Sequence, residues 1–270
     1  MDYLARESAP FSSGLWQRID NTTVETLKKY LVCRRFLSIF GPLGPGAATV
    51  FVDGTEKDEV LANGVARVSG RRQVELPLFY EDFQLTWRDI EEADKNGYPL
   101  DLTSVREAAK KAAKREDQLI LFGNESLNAA GLMNAPGAYR VKKGDWNQGE
   151  NAFANVAEGV SHLYAAGCQG RKALVVSPDL YLAMQRLQQS AGMLEAERIA
   201  KLIGGHIYPF GDFGTNKAVL VCAEPEYMDL AVGLDFAVGY LETKDFNHFF
   251  RLMETAALRI KNPEAIVVFE

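Results

Sequence analysis

Tyr30–Gly46, YLVCRRFLSIFGPLGPG, is where the chain changes character. Its first half continues an apolar stripe at helical spacing, Val24, Leu27 and Leu31, which the pattern carries to about Phe36. Upstream, Asp20-Asn21-Thr22 supplies N-cap chemistry and Thr22 with Glu25 matches a capping box, so the spacing predicts a helix opening there. The second half, Gly41–Gly46, cannot continue a helix, because proline has no N–H and fixes φ while glycine admits positive φ. The prediction is a helix that stops abruptly before a long, polar, extended excursion. Residues 1–19, broken by Pro10, Ser12, Ser13 and Gly14, read as an arm.

Beyond the turn, Ala48 to about Phe83 reads as extended segments interrupted at Gly54, Gly64 and Gly70, with alternation in Thr49–Asp53 and Gln73–Leu78. An isolated hairpin is marginal in water, so a long polar ribbon needs a surface to lie against. Phe83–Ala93 (FQLTWRDIEEA) returns to a helical pattern, ended by Asn96-Gly97-Tyr98-Pro99. Ser104 with Glu107 is a second capping box, opening the longest helix, to about Phe122, with Gly123 as its C′ residue. Its inner stripe is Val105, Ala109, Ala112, Glu116 and Leu119. Glu116 there is either a perturbed acid or base or half of a structural ion pair with an arginine from a neighbouring strand, and the ion pair is favoured.

After the loop-rich residues 124–150 comes an α/β unit. Helices are expected at about 152–166, at Asp179–Gln189 behind Ser177-Pro178, and near Glu195–Ile203, with strands at Ala173–Val176, His206–Pro209 and Ala218–Cys222. The remainder reads as strands, Tyr227–Val232, Ala237–Leu241, the long Phe249–Ile260 and Ala265–Phe269, the last after a break at Asn262-Pro263. The fold class is α+β.

The net charge of −6 gives no clustered basic face for nucleic acid. No run of about 18 apolar residues exists, and Asp2 and Glu7 stand where a secretion signal wants positive charge, so a cytoplasmic protein without membrane partners is expected. Cys33, Cys168 and Cys222 are odd in number and scattered, which fits a reducing compartment. His162, His206 and His248 have no metal-ligand spacing, and His206 reads as a satisfied structural residue. There is no GxSxG elbow and no cysteine beside a histidine, and GPLGPG follows a helix and lacks a phosphate loop's Lys-Ser/Thr ending. Trp87 could stack a planar ligand, but Phe83 four residues earlier favours packing. The residues predict no catalytic site, no metal and no enzyme.

Five stretches in order resemble the encapsulins of family 1, the linocin-like shell proteins of bacterial nanocompartments with the HK97-type phage capsid fold. They are RRFLSIFGPLGPG (Arg34–Gly46), DFQLTWRDIEEA (Asp82–Ala93), REDQLILFGN (Arg115–Asn124), GLMNAPG (Gly131–Gly137) and RIKNPEAIVVFE (Arg259–Glu270). The resemblance implies an N-terminal arm and helix over 1–47, an E-loop over 48–83 that lies against a neighbouring copy, and a P-domain over 84–133. It further implies an A-domain over 134–222 and a return to the P-domain over 223–270.

It also implies a self-assembling icosahedral shell, T=1 or T=3, around cargo enzymes that carry a C-terminal targeting peptide. Dye-decolourising peroxidases and ferritin-like proteins are the usual cargoes, which ties such shells to oxidative stress and iron storage. The peptide groove would involve Leu27, Leu31, Arg34, Leu230, Val232, Asp235 and Tyr240, and the fivefold pore loop would be Gln189, Ser190, Ala191, Gly192 and Met193. Trp87 matches a flavin-stacking position of some members, but Phe79 stands where flavin binders can carry a basic residue, so no cofactor is expected. A phage or prophage major capsid protein of the same fold is the alternative, against which the negative charge speaks, and a flavin-binding enzyme is a distant third.

Overall fold

Two five-stranded sheets carry the fold. The computed structural model describes residues 3–52, 59–60, 66–67, 71–97, 99–188 and 192–270. In chain order the helices are α1 (Ser13–Tyr30), α2 (Trp87–Asn96), α3 (Thr103–Phe122), α4 (Asn151–Ala165), α5 (Pro178–Ala183) and α6 (Glu195–Ile203). The strands of the first half are β1 (Ile39–Phe40), β2 (Thr49–Val52), β3 (Glu59–Val60), β4 (Ala66–Arg67), β5 (Arg72–Glu75) and β6 (Leu78–Leu85). Those of the middle are β7 (Tyr139–Val141), β8 (Lys172–Val176), β9 (Leu187–Gln188), β10 (Met193–Leu194), β11 (His206–Pro209) and β12 (Ala218–Cys222). The last four are β13 (Met228–Val232), β14 (Ala237–Lys244), β15 (Asn247–Ile260) and β16 (Ile266–Phe269).

β15 organises the first sheet, order β1-β13-β15-β14, because its length lets β13, β14 and β6 all pair with it. Its inward residues Phe250 and Leu252 meet Trp16 and Ile19 of α1 and Val105, Ala109 and Ala112 of α3. Alanine on the inner face of α3 is what allows the helix to approach this closely. α3 is also tied to β6 by Arg115, which donates to the Tyr80 carbonyl at 2.8 Å, and by Ser104, which donates to that of Gln84 at 3.0 Å.

The second sheet runs β11-β8-β12-β16-β7, and α4 and α6 bury Val156, Val160, Leu163, Ile199 and Ile203 in its core. β8, β12 and β16 are buried at every position, which explains their apolar sequences, Lys172 at the start of β8 excepted. The ribbon's base is the antiparallel pair β2–β5, Thr49 opposite Glu75 to Val52 opposite Arg72, seated through Val50 and Leu76 on Ala231 and Ala257 of the first sheet. β3 and β4 pair further out, and the rest of the expected ribbon, 53–58, 61–65 and 68–70, lies outside the described residues.

Several sequence expectations need correction. α1 opens at Ser13, where Ser12 Oγ accepts the Leu15 N–H, so Asp20-Asn21-Thr22 lies mid-helix and the arm is shorter than 1–19. Within the helix, Thr23 and Thr26 bend their hydroxyls back to the carbonyls of Ile19 and Thr22. Phe83 belongs to β6, because pairing with Phe250 outweighs the local helical pattern. Ser104 and Glu107 form no capping box; Asp101 accepts the Thr103 N–H instead. α5 stops at Ala183 rather than at Gln189, since the carbonyls of Met184 and Arg186 accept N–H groups of Ala196 and Glu195. Asn262-Pro263 turns the chain so that β16 joins the second sheet, between β12 and β7.

Candidate functional site: a cleft beside the first helix

The end of α1 is fixed from α3. Asp117 is fully buried and accepts the backbone N–H groups of Val32 and Cys33, which therefore do not continue the helical ladder. The tight turn that follows, Cys33–Arg35, delivers the Arg34 side chain to the junction of α1, α3 and β15. Arg34 pairs with Glu116 at 2.8 Å, with Asp235 at 2.8 Å and with Glu254, and its guanidinium lies 5.1 Å from the Phe236 ring. Glu116 is thus the ion-pair residue its place in the stripe suggested, although its arginine comes from a turn and not from a strand.

On the outer side of this network, α1 and the Asp235-Phe236 segment enclose an open cleft of about 310 Å³. Val24, Leu27, Leu31 and Phe236 supply its apolar lining, and Lys28, Arg34, Arg35 and Asp235 supply the charges. Val24 is 46% exposed, a large apolar side chain with no cover in the isolated subunit. Burial lifts the neighbouring Asp117 carboxyl to about 6, against the pull of its two backbone donors. Burial first, then the Asp117 charge, pushes the Cys33 thiol upward, which leaves it an unreactive core residue.

Of the residues named for a groove, Leu27, Leu31, Arg34 and Asp235 line this cleft. Leu230 and Val232 do not: both are buried in β13. Tyr240 is also elsewhere, on β14 against Phe11 and Phe250. Val24, Lys28, Arg35 and Phe236 were missed. Val24 and Lys28 share a helical row with Leu27 and Leu31 and were legible by spacing, whereas nothing local marks Phe236.

In the expected pore loop, Gln189, Ser190 and Ala191 lie outside the described residues. Gly192 has φ +64°, and Met193 pairs with Gln188 in the β9–β10 hairpin. Trp87 is exposed at the first turn of α2, 5.5 Å from the Arg88 guanidinium, and the expected packing on Phe83 fails because Phe83 is on a strand. Phe79 is buried in β6. His162 stacks on Tyr139 at 3.7 Å and His248 bonds Thr243 at 3.0 Å. His206 is exposed on β11, its ring 6.1 Å from that of Tyr208. Among the described residues no His, Cys, Asp and Glu group could hold a metal, and no helix is long and apolar enough to cross a membrane.

Comparison with known proteins supplies a lineage. A family model described as "Encapsulating protein for peroxidase" matches residues 1–257. A type 1 encapsulin shell protein of Myxococcus xanthus is 35% identical over 100% of this chain and 96% of its own. A diheme-cytochrome-encapsulin shell fusion protein of Kuenenia stuttgartiensis is 35% identical over 94% of this chain and 72% of its own. Among solved structures, a virus-like particle from Pyrococcus furiosus superposes with a TM-score of 0.77 at 19% identity, covering 95% of this chain and 99% of that one.

Proposed function

The chain belongs to the encapsulin family and has the HK97-type capsid fold, and from that premise we propose that the cleft beside α1 holds cargo by a C-terminal targeting peptide. The protein is a structural shell protein, not an enzyme. Its full-length identity to shell proteins favours this reading over the phage capsid alternative.

The observation that carries the proposal is the cleft itself. Val24 stands open at 46% exposure beside Phe236, the largely buried Leu27 and Leu31 form the apolar floor beneath it, and charges stand on the rim. An extended tail with alternating apolar residues fills such a cleft, and its polar backbone meets Lys28, Arg35 and Asp235. In this reading α1 faces the interior of an icosahedral shell of T=1 or T=3 geometry, and the cargo is a peroxidase or a ferritin-like protein. The shell is cytoplasmic and binds neither nucleic acid nor membrane. No flavin is proposed at Trp87, because Phe79 is buried and offers no cation.

The test is co-expression with a fluorescent protein that carries the C-terminal tail of the peroxidase or ferritin-like protein encoded beside this gene. Closed particles on size exclusion and negative-stain microscopy should retain the fluorescence, and Val24→Asp, at a 46% exposed position, should remove it while particles still form. Loading that Val24→Asp leaves intact would place the tail elsewhere.

A further inference from the structure

Arg34 joins the wall of the cleft to two carboxyl groups that solvent does not reach. Glu116 on α3 and Glu254 on β15 are both 0% exposed, while the Asp235 side chain is 55% exposed at the rim. One guanidinium serves all three. Glu116 accepts Arg34 Nε through its two oxygens at 3.1 and 2.9 Å, and Asp235 Oδ1 accepts Nη1 at 2.8 Å. Glu254 accepts Nη2 through Oε1 alone. Its other oxygen, Oε2, is buried and has no hydrogen-bond partner among the described residues.

Two buried like charges on a single cation disfavour double ionisation, so one carboxyl keeps its proton. A buried anionic oxygen with no donor is the costliest member of such a group. Both oxygens of Glu116 are engaged, and one of Glu254 is not, which decides between them.

We infer that Glu254 is a protonated positioning residue of the cleft. Its proton leaves Arg34 shared between the buried pair and Asp235, and so fixes the two charged side chains that a bound tail meets. This rests on the cleft being the cargo site. The groups facing Glu254 are Arg34 from the turn after α1, Glu116 from α3 and Asp235 from the segment before β14. Asp117, next along α3, turns instead to Val32 and Cys33. Burial first, and then the Glu116 charge, push the Glu254 carboxyl well above the usual carboxylate range. Loss of the proton in alkali leaves two buried negative charges on Arg34, draws it off Asp235 and weakens the hold on the tail.

The experiment uses assembled particles of the wild type, of Glu254→Gln and of Asp235→Asn, which removes the rim charge that shares Arg34. Infrared spectra at about pH 8, where Asp117 with its value of about 6 is ionised, should contain a protonated-carboxyl band that Glu254→Gln removes. Fluorescein-labelled synthetic peptides with the tails of the peroxidase and ferritin-like candidates, followed by anisotropy, should bind the wild type about tenfold more weakly in alkali, the factor for one unit of linked shift. Glu254→Gln and Asp235→Asn should each bind with the same affinity at both pH values. A wild type without the band, a band that survives Glu254→Gln, or an alkaline loss that persists in both variants overturns the inference. Peptides that bind at no pH sink the cargo-site reading instead, and the infrared band then decides the proton alone.

Discussion

Asp117 Oδ1 lies 2.8 Å from the backbone nitrogen of Cys33. That contact ends one helix from the middle of another. Without it the N–H groups after Tyr30 would seek carbonyls one turn back, the helix would run on, and Arg34 would leave its three carboxyl partners. The position of the cleft's charged wall is therefore a consequence of one buried side chain on α3.

Asp117 should make stability pH-dependent in an uncommon direction. Its carboxyl is held at about 6, above the ordinary 3.8, so the folded chain binds the proton more tightly than the unfolded one. The cost of burying its charge is absent below the unfolded value and complete above about pH 6, so stability falls as pH rises through that window. The two-unit shift corresponds to on the order of 3 kcal/mol. Asp117→Asn should remove this slope. Unfolding midpoints at several pH values between about 3.5 and 7 check it, and parallel profiles for the two proteins would refute the assignment.

How much of this was legible follows from where each signal sits. The Gly41–Gly46 turn, the alanine-lined face of α3 and the apolar runs of β8, β12 and β16 are local patterns, and they read correctly. The capping chemistry of Asp20-Asn21-Thr22 is overridden, because tertiary packing of Trp16 and Ile19 extends the helix back to a cap at Ser12. Phe83 and Trp87 look like one helical face until β15 claims the first of them. Arg34 and Asp235 are 201 positions apart, so no spacing rule could join them, and Phe236 came into the site unannounced.

Gly41 and Gly44 should behave differently. The sequence suggests that a bulky β-branched residue at either would impair assembly more than folding, but a Cβ on Gly41 would collide with the Val232 carbonyl oxygen of the same chain. The Leu43 N–H also bonds that oxygen, so the turn is seated on β13. Gly44 has φ +103° and open space around it. Gly41→Val should therefore cost the subunit its fold or more than about 3 kcal/mol, and Gly44→Val about 1–2 kcal/mol of backbone strain. Soluble yield and thermal melting distinguish them, and equal behaviour would contradict this geometry.

Arg259 should control the ribbon's base. It grips Asp229 through two bonds of 2.6 Å, donates to the Phe51 carbonyl of β2 at 3.0 Å and covers the Phe40 ring at 3.8 Å. Lysine keeps the charge but cannot reproduce the planar fork. Arg259→Lys is expected to cost about 2–3 kcal/mol and to speed hydrogen exchange at 49–52 and 72–75 more than at β13. Unchanged exchange in β2 and β5 would show that apolar seating alone holds the ribbon.

Glu195 should hold the hairpin that leads into the expected pore loop. It is 0% exposed at the start of α6, where one oxygen accepts the Phe153 N–H at 3.1 Å and the other takes Arg186 at 2.8 Å. Arg186 also donates to the Trp146 carbonyl at 2.8 Å, and its own carbonyl accepts the Glu195 N–H at 3.0 Å, so the pair closes the base of β9–β10. Glu195→Ala strands a guanidinium and an amide together. Arg186 keeps a 31% exposed side chain, so water offsets part of the loss. The expected cost is about 3 kcal/mol, or roughly 6–10 °C in the melting temperature. Arg186→Ala alone should cost a comparable amount because it leaves the buried carboxylate, and the double variant should cost clearly less than the sum. Additive losses would mean that the two residues act independently and that the hairpin's base is held by its backbone bonds.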